Sequence, residues 1–355
     1  VIEVASFDGS QIGILQGLRE IPGFLAFTVV LVTLIIAQQR LAYISIMLLG
    51  LGTALTGIFP SVLGLYITTV IMSTGFHYLE TLNQSLSLQW LNKKEAPIVL
   101  GKITAAKSIA GLVSFVIIYI MMKFYSVDYK EVYLFFGGVT FFIGLVSWIM
   151  FKHFDEEVIQ DKKIRLKKEY WLFYLLTFLA GARRQIFVVF AGFLLVEKFG
   201  VDIHNMVVLL LVNSLLNIYF APKIGKFISR FGERITLRFE YIGLFLVFTS
   251  YAFVDNLYLA YFLFVIDHLL FSMAIALKTY FQKIADPKDI ASASAVSFTI
   301  NHIAAVILPV LLGLVWLYSH SLVFLLGSVI AITSFVLSSL VPSDPKQGYE
   351  TTLVK

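Results

Sequence analysis

Ionisable side chains set inside long apolar runs are where this chain of 355 residues can do chemistry. Each such group costs about 3 kcal/mol at bilayer depth unless it is paired or hydrated. Ser73, His77, Glu80, Gln84 and Ser87 fall within one narrow arc at about 100° per residue, a polar stripe on an otherwise apolar helix. A stripe of this kind either faces a polar cavity or satisfies neighbours inside a helix bundle. Lys107, on the next apolar run, lies at a depth similar to Glu80 when both are counted from the loop at Lys93. The two can form a purely structural ion pair, or one that opens when Glu80 is protonated and so acts as a coupling switch. Arg183 and Arg184 stand near the middle of the run 171–197. Adjacent residues point about 100° apart, so one of them faces a cavity squarely. Arg184 shares its face with Thr177 and Gly181 and is the expected one, suited to bidentate contact with a carboxylate or phosphate. The alternative is an internal ion pair to Asp267 or Glu80. Asp267 and His268 occupy the run 257–282, where Asp267 aligns with Phe271, Ala274 and Lys278. Asp267 can carry a proton, or it can neutralise one of the arginines. A lone His such as His268 is more often a packing residue than a site.

Those groups need elements to hold them at depth, and composition says which. The chain is 59% hydrophobic and 14% charged, with a mean hydropathy of +0.88. A water-soluble domain cannot hide that much apolar surface. A spanning helix takes about 20 mostly apolar residues. Eleven such runs are read at 12–36, 41–60, 62–90, 97–122, 132–151, 171–197, 204–222, 236–254, 257–282, 289–317 and 321–341. Hydrocarbon admits only helices or closed barrels. The runs lack the period-2 alternation of barrel strands, so the fold class is all-α and polytopic.

Loop charges orient the runs. Arg40, Lys93 and Lys94, residues 152–169, 223–238, 283–288 and the tail after 341 hold most of the Lys and Arg. The turns between them carry only Lys123, Lys130 and Lys198. Positive charge marks the cytoplasmic side, so the C-terminus is expected inside, in a plasma or bacterial inner membrane. The net charge of +5 is this loop bias and carries no nucleic-acid meaning. With no Cys there are no disulfides and no thiolate metal sites. Residues 1–10 carry no signal-peptide pattern and read as an outside loop following a helix absent from the chain; one more helix would make twelve, with both termini inside. Residues 152–170, the longest polar stretch, read as a cytoplasmic linker that is partly an amphipathic surface helix.

Five or six helices, a long cytoplasmic linker and six more resemble the major facilitator superfamily of secondary transporters. The resemblance covers the family's second to twelfth helices. It implies an N-terminal bundle over 1–152, a linker over 153–170 and a C-terminal bundle with a short tail over 171–355. Its most local support is the stretch Gly225 to Arg234, where Gly225, Arg230, Gly232 and Arg234 match the family's gating-loop pattern and Ser229 and Glu233 depart from it. The equivalent stretch of the first half, Leu34 to Arg40, lacks the pattern. So does the segment Ala105 to Gly111, which has no Pro where drug/proton antiporters of the family carry a glycine-proline motif. The resemblance places the α-helices of His77 and Asp267 beside a central cavity. Small residues at Gly9, Gly13 and Gly17, and at Ala291, Ser294, Ala295 and Ser297, allow helix backbones to approach closely. Arg19 and Glu20, just before Pro22-Gly23, are an external gate or a locally paired couple.

Nothing supports an enzyme. There is no His-Glu-x-x-His, no phosphate-cradling Gly-rich loop and no clustered metal-ligand spacing, and Glu156 and Glu157 lie in a polar loop with no matching His. The expectation is a monomeric secondary transporter without a cofactor, moving a small anionic or zwitterionic solute by alternating access. Its site residues are His77, Glu80, Gln84, Arg183, Arg184 and Asp267, with proton coupling as symport through Glu80 and Lys107 or Asp267 and His268. The rivals are a drug or metabolite exporter of the same fold, and a non-transporting membrane sensor or assembly protein.

Overall fold

A computed structural model describes residues 9–154, 158–161 and 163–353. Among them there is no strand, and ten helices are long and apolar enough to cross a membrane. The run expected at 12–36 is broken instead of continuous: α1 (Gly9–Phe24) ends in a turn and α2 (Thr28–Val32) follows. Pro22 lies within the last turn of α1, where it removes a backbone donor and loosens the helix just before the break. The first half continues through α3 (Gln38–Ile58), α4 (Val62–Trp90), α5 (Ala96–Phe124) and α6 (Tyr129–Met150). The second half holds α7 (Trp171–Gln185), a π-helical turn (Ile186–Ala191), α8 (Gly192–Phe199), α9 (Ile203–Phe231) and α10 (Glu233–Ala252). It closes with α11 (Leu257–Phe271), α12 (Ile275–Ile284), α13 (Ile290–Trp316) and α14 (His320–Ser338).

Contacts divide the chain into two compact units. One comprises 1–89, 115–165 and 287–302; the other comprises 90–114, 166–286 and 303–355.

In the first unit α3 is held by glycines on two sides. A Cβ at Gly52 or Gly75 would fall within 3 Å of main-chain atoms across the α3–α4 seam, and one at Gly50 or Gly137 would do the same across the α3–α6 seam. Without a hydrophobic drive between helices in lipid, such backbone contact is what holds them. The seam therefore lies here and not at Gly17, whose surroundings are open to 4 Å; the side-chain environment of Gly9 and Gly13 lies outside the described residues. Ser294, Ala295 and Ser297 are buried, as their small size permits.

The linker departs from expectation. Its described residues form no helix before the short 3₁₀ turn Lys168–Tyr170. Side-chain and main-chain bonds hold it extended instead: the Gln160 amide donates to the Pro287 carbonyl at 3.0 Å and accepts from the Ala291 N–H at 3.1 Å. The Asp161 N–H donates to the Lys288 carbonyl. These bonds meet the orphan groups at the start of α13. Glu156 and Glu157 lie outside the described residues.

In the second unit the apolar core forms around Ile186, Leu194, Phe248, Tyr251 and Phe324, all essentially inaccessible to solvent. The π-helical turn adds a residue to one turn of the helix, and it buries Ile186, Phe187, Phe190 and Ala191 together.

The α3–α6 seam makes adjacent glycines unequal. Gly137→Ala drives a methyl into the Ala54 backbone and is expected to cost about 1–3 kcal/mol. Gly138→Ala has open space and is expected to leave stability unchanged or slightly raised. Thermal unfolding of the two purified variants in one detergent measures the difference.

Candidate functional site

The second unit contains a buried charge network that the fold assembles from four helices. Arg183, near the end of α7, is almost fully buried. Its Nη1 donates to Ser334 Oγ on α14, and its Nη2 lies 3.6 Å from the Glu240 carboxylate on α10. The guanidinium also sits 4.4 Å from the centre of the Tyr241 ring, a cation–π contact that desolvation strengthens. Asp267 of α11 is only 1% exposed. Arg183, Arg184, Glu240 and Asp267 line one narrow cavity whose remaining walls include Phe187, Leu244, Phe248 and Phe271. Its four ionisable groups, two arginines and two carboxylates, balance formally to zero.

Several polar atoms of this network have no hydrogen-bond partner among the described residues: Arg183 Nε, Glu240 Oε2 and Asp267 Oδ2. Buried polar atoms are ordinarily satisfied, so three such atoms around one cavity with room for about one water mark a place where water or a proton can complete the network. Of the two arginines, Arg184 is the half-buried one and Arg183 is locked inside. Both line the cavity, and the internal partner of Arg183 is Glu240, not the Asp267 or Glu80 that the sequence reading offered. An acid within the apolar run Leu237 to Ser250 was the signal that could have found it.

His268 is engaged in packing: its Nε2 lies 2.9 Å from Asn217 Nδ2 on α9, and Asn217 Oδ1 accepts from Ser272 Oγ at 2.6 Å.

In the first unit the stripe on α4 is graded in depth, with Ser73 and His77 buried and Glu80, Gln84 and Ser87 half-buried. Gln84 Nε2 lies 3.4 Å from Ser297 Oγ on α13. His77 meets His302 of α13 edge-on at 5.0 Å between ring centres. Sequence spacing indicated no metal-ligand cluster, yet one donor atom from each of Glu20, His77 and His302 lies within 4.8 Å of the other two. They come from three helices distant in sequence, so no local motif announces them. Lys107 belongs to the other unit and is exposed.

The stretch Gly225 to Arg234 is mostly helical. α9 runs on to Phe231, so Gly225 and Arg230 lie within it and the loop shrinks to Gly232. The basic residues Lys223, Lys226 and Arg230 let the helix extend past its apolar part without burying charge. Gly232 has φ +81°, a conformation that favours glycine. At Gly225 a Cβ would strike the main chain of Pro97 and Ile98, so this glycine permits the approach of α9 to α5. Arg230 is exposed and Arg234 half-buried. Glu233, where the family pattern is broken, is fully buried with Lys283 Nζ 2.8 Å away. Lys93 donates to the Lys283 carbonyl at 3.2 Å; burial, and next the charge of Lys283, hold its ammonium below the ordinary lysine range.

The Leu34 to Arg40 stretch, which lacks the family pattern, uses amides. Gln38 Oε1 accepts from Ser85 Oγ at 2.8 Å and from Gln89 Nε2 at 3.1 Å. Gln39 Nε2 donates to the Lys152 carbonyl and its Oε1 accepts from the Phe154 N–H, each at 2.9 Å.

A sequence model of the Major Facilitator Superfamily matches residues 3–309 and 173–353. The chain belongs to this superfamily. Among solved structures it is similar to the superfamily transporter FucP in its outward conformation, with a TM-score of 0.75 at 11% identity over 94% of this chain and 90% of that one. A second structure, of the E. coli fucose:proton symporter FucP, gives a TM-score of 0.75 at 12% identity over 93% and 90%. The human organic anion transporter MFSD10 (TETRAN) gives 0.69 at 11% identity over 92% and 83%. At such identities the likeness establishes the fold alone. No curated protein matches. The protein is thus a multi-pass membrane protein with the superfamily's transporter fold, and it is not an enzyme.

The two arginines differ in consequence. Arg183→Ala leaves the buried Glu240 carboxylate without its cation and is expected to cost about 3–5 kcal/mol. Arg184→Ala, half-buried, is expected to lower the unfolding temperature by clearly less; equal losses in thermal unfolding would overturn the assignment of Arg183 as the locked partner.

Proposed function

We propose that the protein moves a small anionic or zwitterionic solute by alternating access, as a proton symporter, with its C-terminus on the cytoplasmic face of a bacterial inner membrane. The observation that carries this reading is the cavity where Arg183, Arg184, Glu240 and Asp267 meet with balanced charge. Protonating one carboxylate in such a site leaves a net positive charge in a low-dielectric enclosure, which an anionic group on the solute then neutralises. Deprotonation restores the internal balance and weakens the hold on the solute. Proton and anion therefore enter and leave as a pair, which is the thermodynamic content of symport.

Arg184 is the side chain assigned to the solute. Its planar guanidinium suits two oxygens of one carboxylate or phosphate, and it lines the cavity only half-buried. Asp267 is the assigned proton carrier, because it lines the cavity with an oxygen that has no hydrogen-bond partner among the described residues. His77, Glu80 and Gln84 on α4 are a second set of candidate solute contacts within their own unit. Loop charge bias supports the orientation. The printed descriptions of the similar structures, a fucose:proton symporter and an organic anion transporter, support proton coupling and an anionic solute as classes.

Screening the purified full-length protein by thermal shift against small anions, amino acids, sugars and lipophilic cations identifies a solute, since a ligand at 100 times its Kd adds about 2.7 kcal/mol to stability. In proteoliposomes that solute is expected to accumulate when the outside is acidified. Arg184→Ala is expected to abolish uptake. Asp267→Asn is expected to retain solute exchange while losing the response to the pH gradient. Uptake indifferent to the gradient would remove the coupling, and unchanged uptake by Arg184→Ala would remove the anion contact.

A further inference from the structure

We propose that Glu20, His77 and His302 form a binding site for a divalent first-row transition-metal ion of the Zn²⁺ type. The site lies wholly within the first unit, on α1, α4 and α13. Both imidazoles are only 4% exposed, and the donor atoms of the three residues lie within 4.8 Å of one another.

The hydrogen bonds fix what the rings present. His77 Nδ1 lies 2.8 Å from the Ser73 carbonyl, and His302 Nδ1 lies 2.9 Å from the Phe298 carbonyl. A carbonyl only accepts, so each Nδ1 carries the proton and each Nε2 keeps its lone pair. Ser73 Oγ donates to the Arg19 carbonyl and lies 2.9 Å from His77 Nδ1, which tightens the same tautomer and ties α1 to α4 beside Glu20. Two neutral imidazoles and a carboxylate then converge as three electron-pair donors. Imidazole held through its other nitrogen by a main-chain carbonyl is the outer-shell arrangement of metal-bound histidine.

The surroundings are shaped for the two rings. Gly23 is the residue between them: a Cβ there would fall within 3 Å of both His77 and His302. Phe298 stacks on His302 at 4.5 Å between centres and fixes its plane. Arg19 is the opposing charge, 3.1 Å from Glu20 Oε1, but its side chain is half exposed and an exposed pair between adjacent residues is weak. With Zn–N near 2.0–2.1 Å, donors in a four-coordinate site stand about 3.4 Å apart, so binding draws the three side chains together by small rotations of each. Two imidazoles and one carboxylate suit Zn²⁺, Co²⁺ or Ni²⁺, whereas Mg²⁺ and Ca²⁺ prefer all-oxygen sites.

The test uses full-length protein in detergent, stripped with a chelator and titrated with Zn²⁺ against a chromophoric competitor. One ion per chain is expected, and a large excess of Mg²⁺ leaves its binding unchanged. His77→Gln and His302→Gln are each expected to weaken it by more than the ~10–100-fold that losing an outer-shell partner costs, and Ser73→Ala by an amount within that range. Co²⁺ absorption of the unmutated chain reads the ligand set without any variant: intense visible bands of a four-coordinate nitrogen and oxygen site are expected. Absence of stoichiometric Zn²⁺ binding, bands of a fully hydrated ion, or full affinity in both histidine variants overturns the site.

Discussion

Hydrocarbon offers no water to a buried charge, and the arrangement of this protein follows from that constraint. Backbone groups must close their own hydrogen bonds, so every described spanning element is a helix. Helices gain little from apolar attraction to one another in lipid, so α3 is gripped through glycines where backbones touch. The same constraint makes an arginine at depth tolerable only with partners. Arg183 has a carboxylate, a hydroxyl and an aromatic face, and removing any partner exposes the cost of the rest.

Where the chain departs from its family's loop pattern, it substitutes one kind of polar contact for another. Gln38 and Gln39 are buried and use amide donors and acceptors to join α3 to α4 and to the chain leaving α6. An amide bond of this kind keeps its strength when salt screens exposed ion pairs. In the second unit Glu233 breaks the basic pattern but finds Lys283 across the fold. A mismatch to a motif is therefore compatible with a polar tie at the same place, made by other atoms.

The helices were legible because a spanning segment must be apolar over its whole length, a signal strong enough to survive without any homologue. Their ends were not, since a helix can run beyond the apolar zone on basic side chains, as α9 does to Phe231. The first run illustrates another limit: hydropathy sums over residues 12–36 without noticing the break between α1 and α2. Arg183 and Arg184 were legible as charges at membrane depth, since any basic residue inside an apolar run stands out. Periodicity could not choose Glu240 as the partner of Arg183, because ion pairing across helices depends on packing that no local pattern records. Glu20, His77 and His302 were invisible as a group for the same reason, being 57 and 225 residues apart in sequence. The linker's charge pattern suggested a surface helix, but Gln160 can satisfy helix α13 only from an extended chain.

The two units differ in the sign of guest they can hold. In the first, no Lys or Arg is buried among the described residues, while His77, His302 and the side of Glu20 supply lone pairs at one point. The proposed metal ion is the positive charge that those lone pairs would hold. In the second, Arg183 is buried and Arg184 half-buried beside two carboxylates, and the proposed symport uses loss of one negative charge by protonation to admit an anion. One rule bears on both: a buried charge at low dielectric is costly unless it is matched, so a change in the charge of either site is tied to the charge of what it binds.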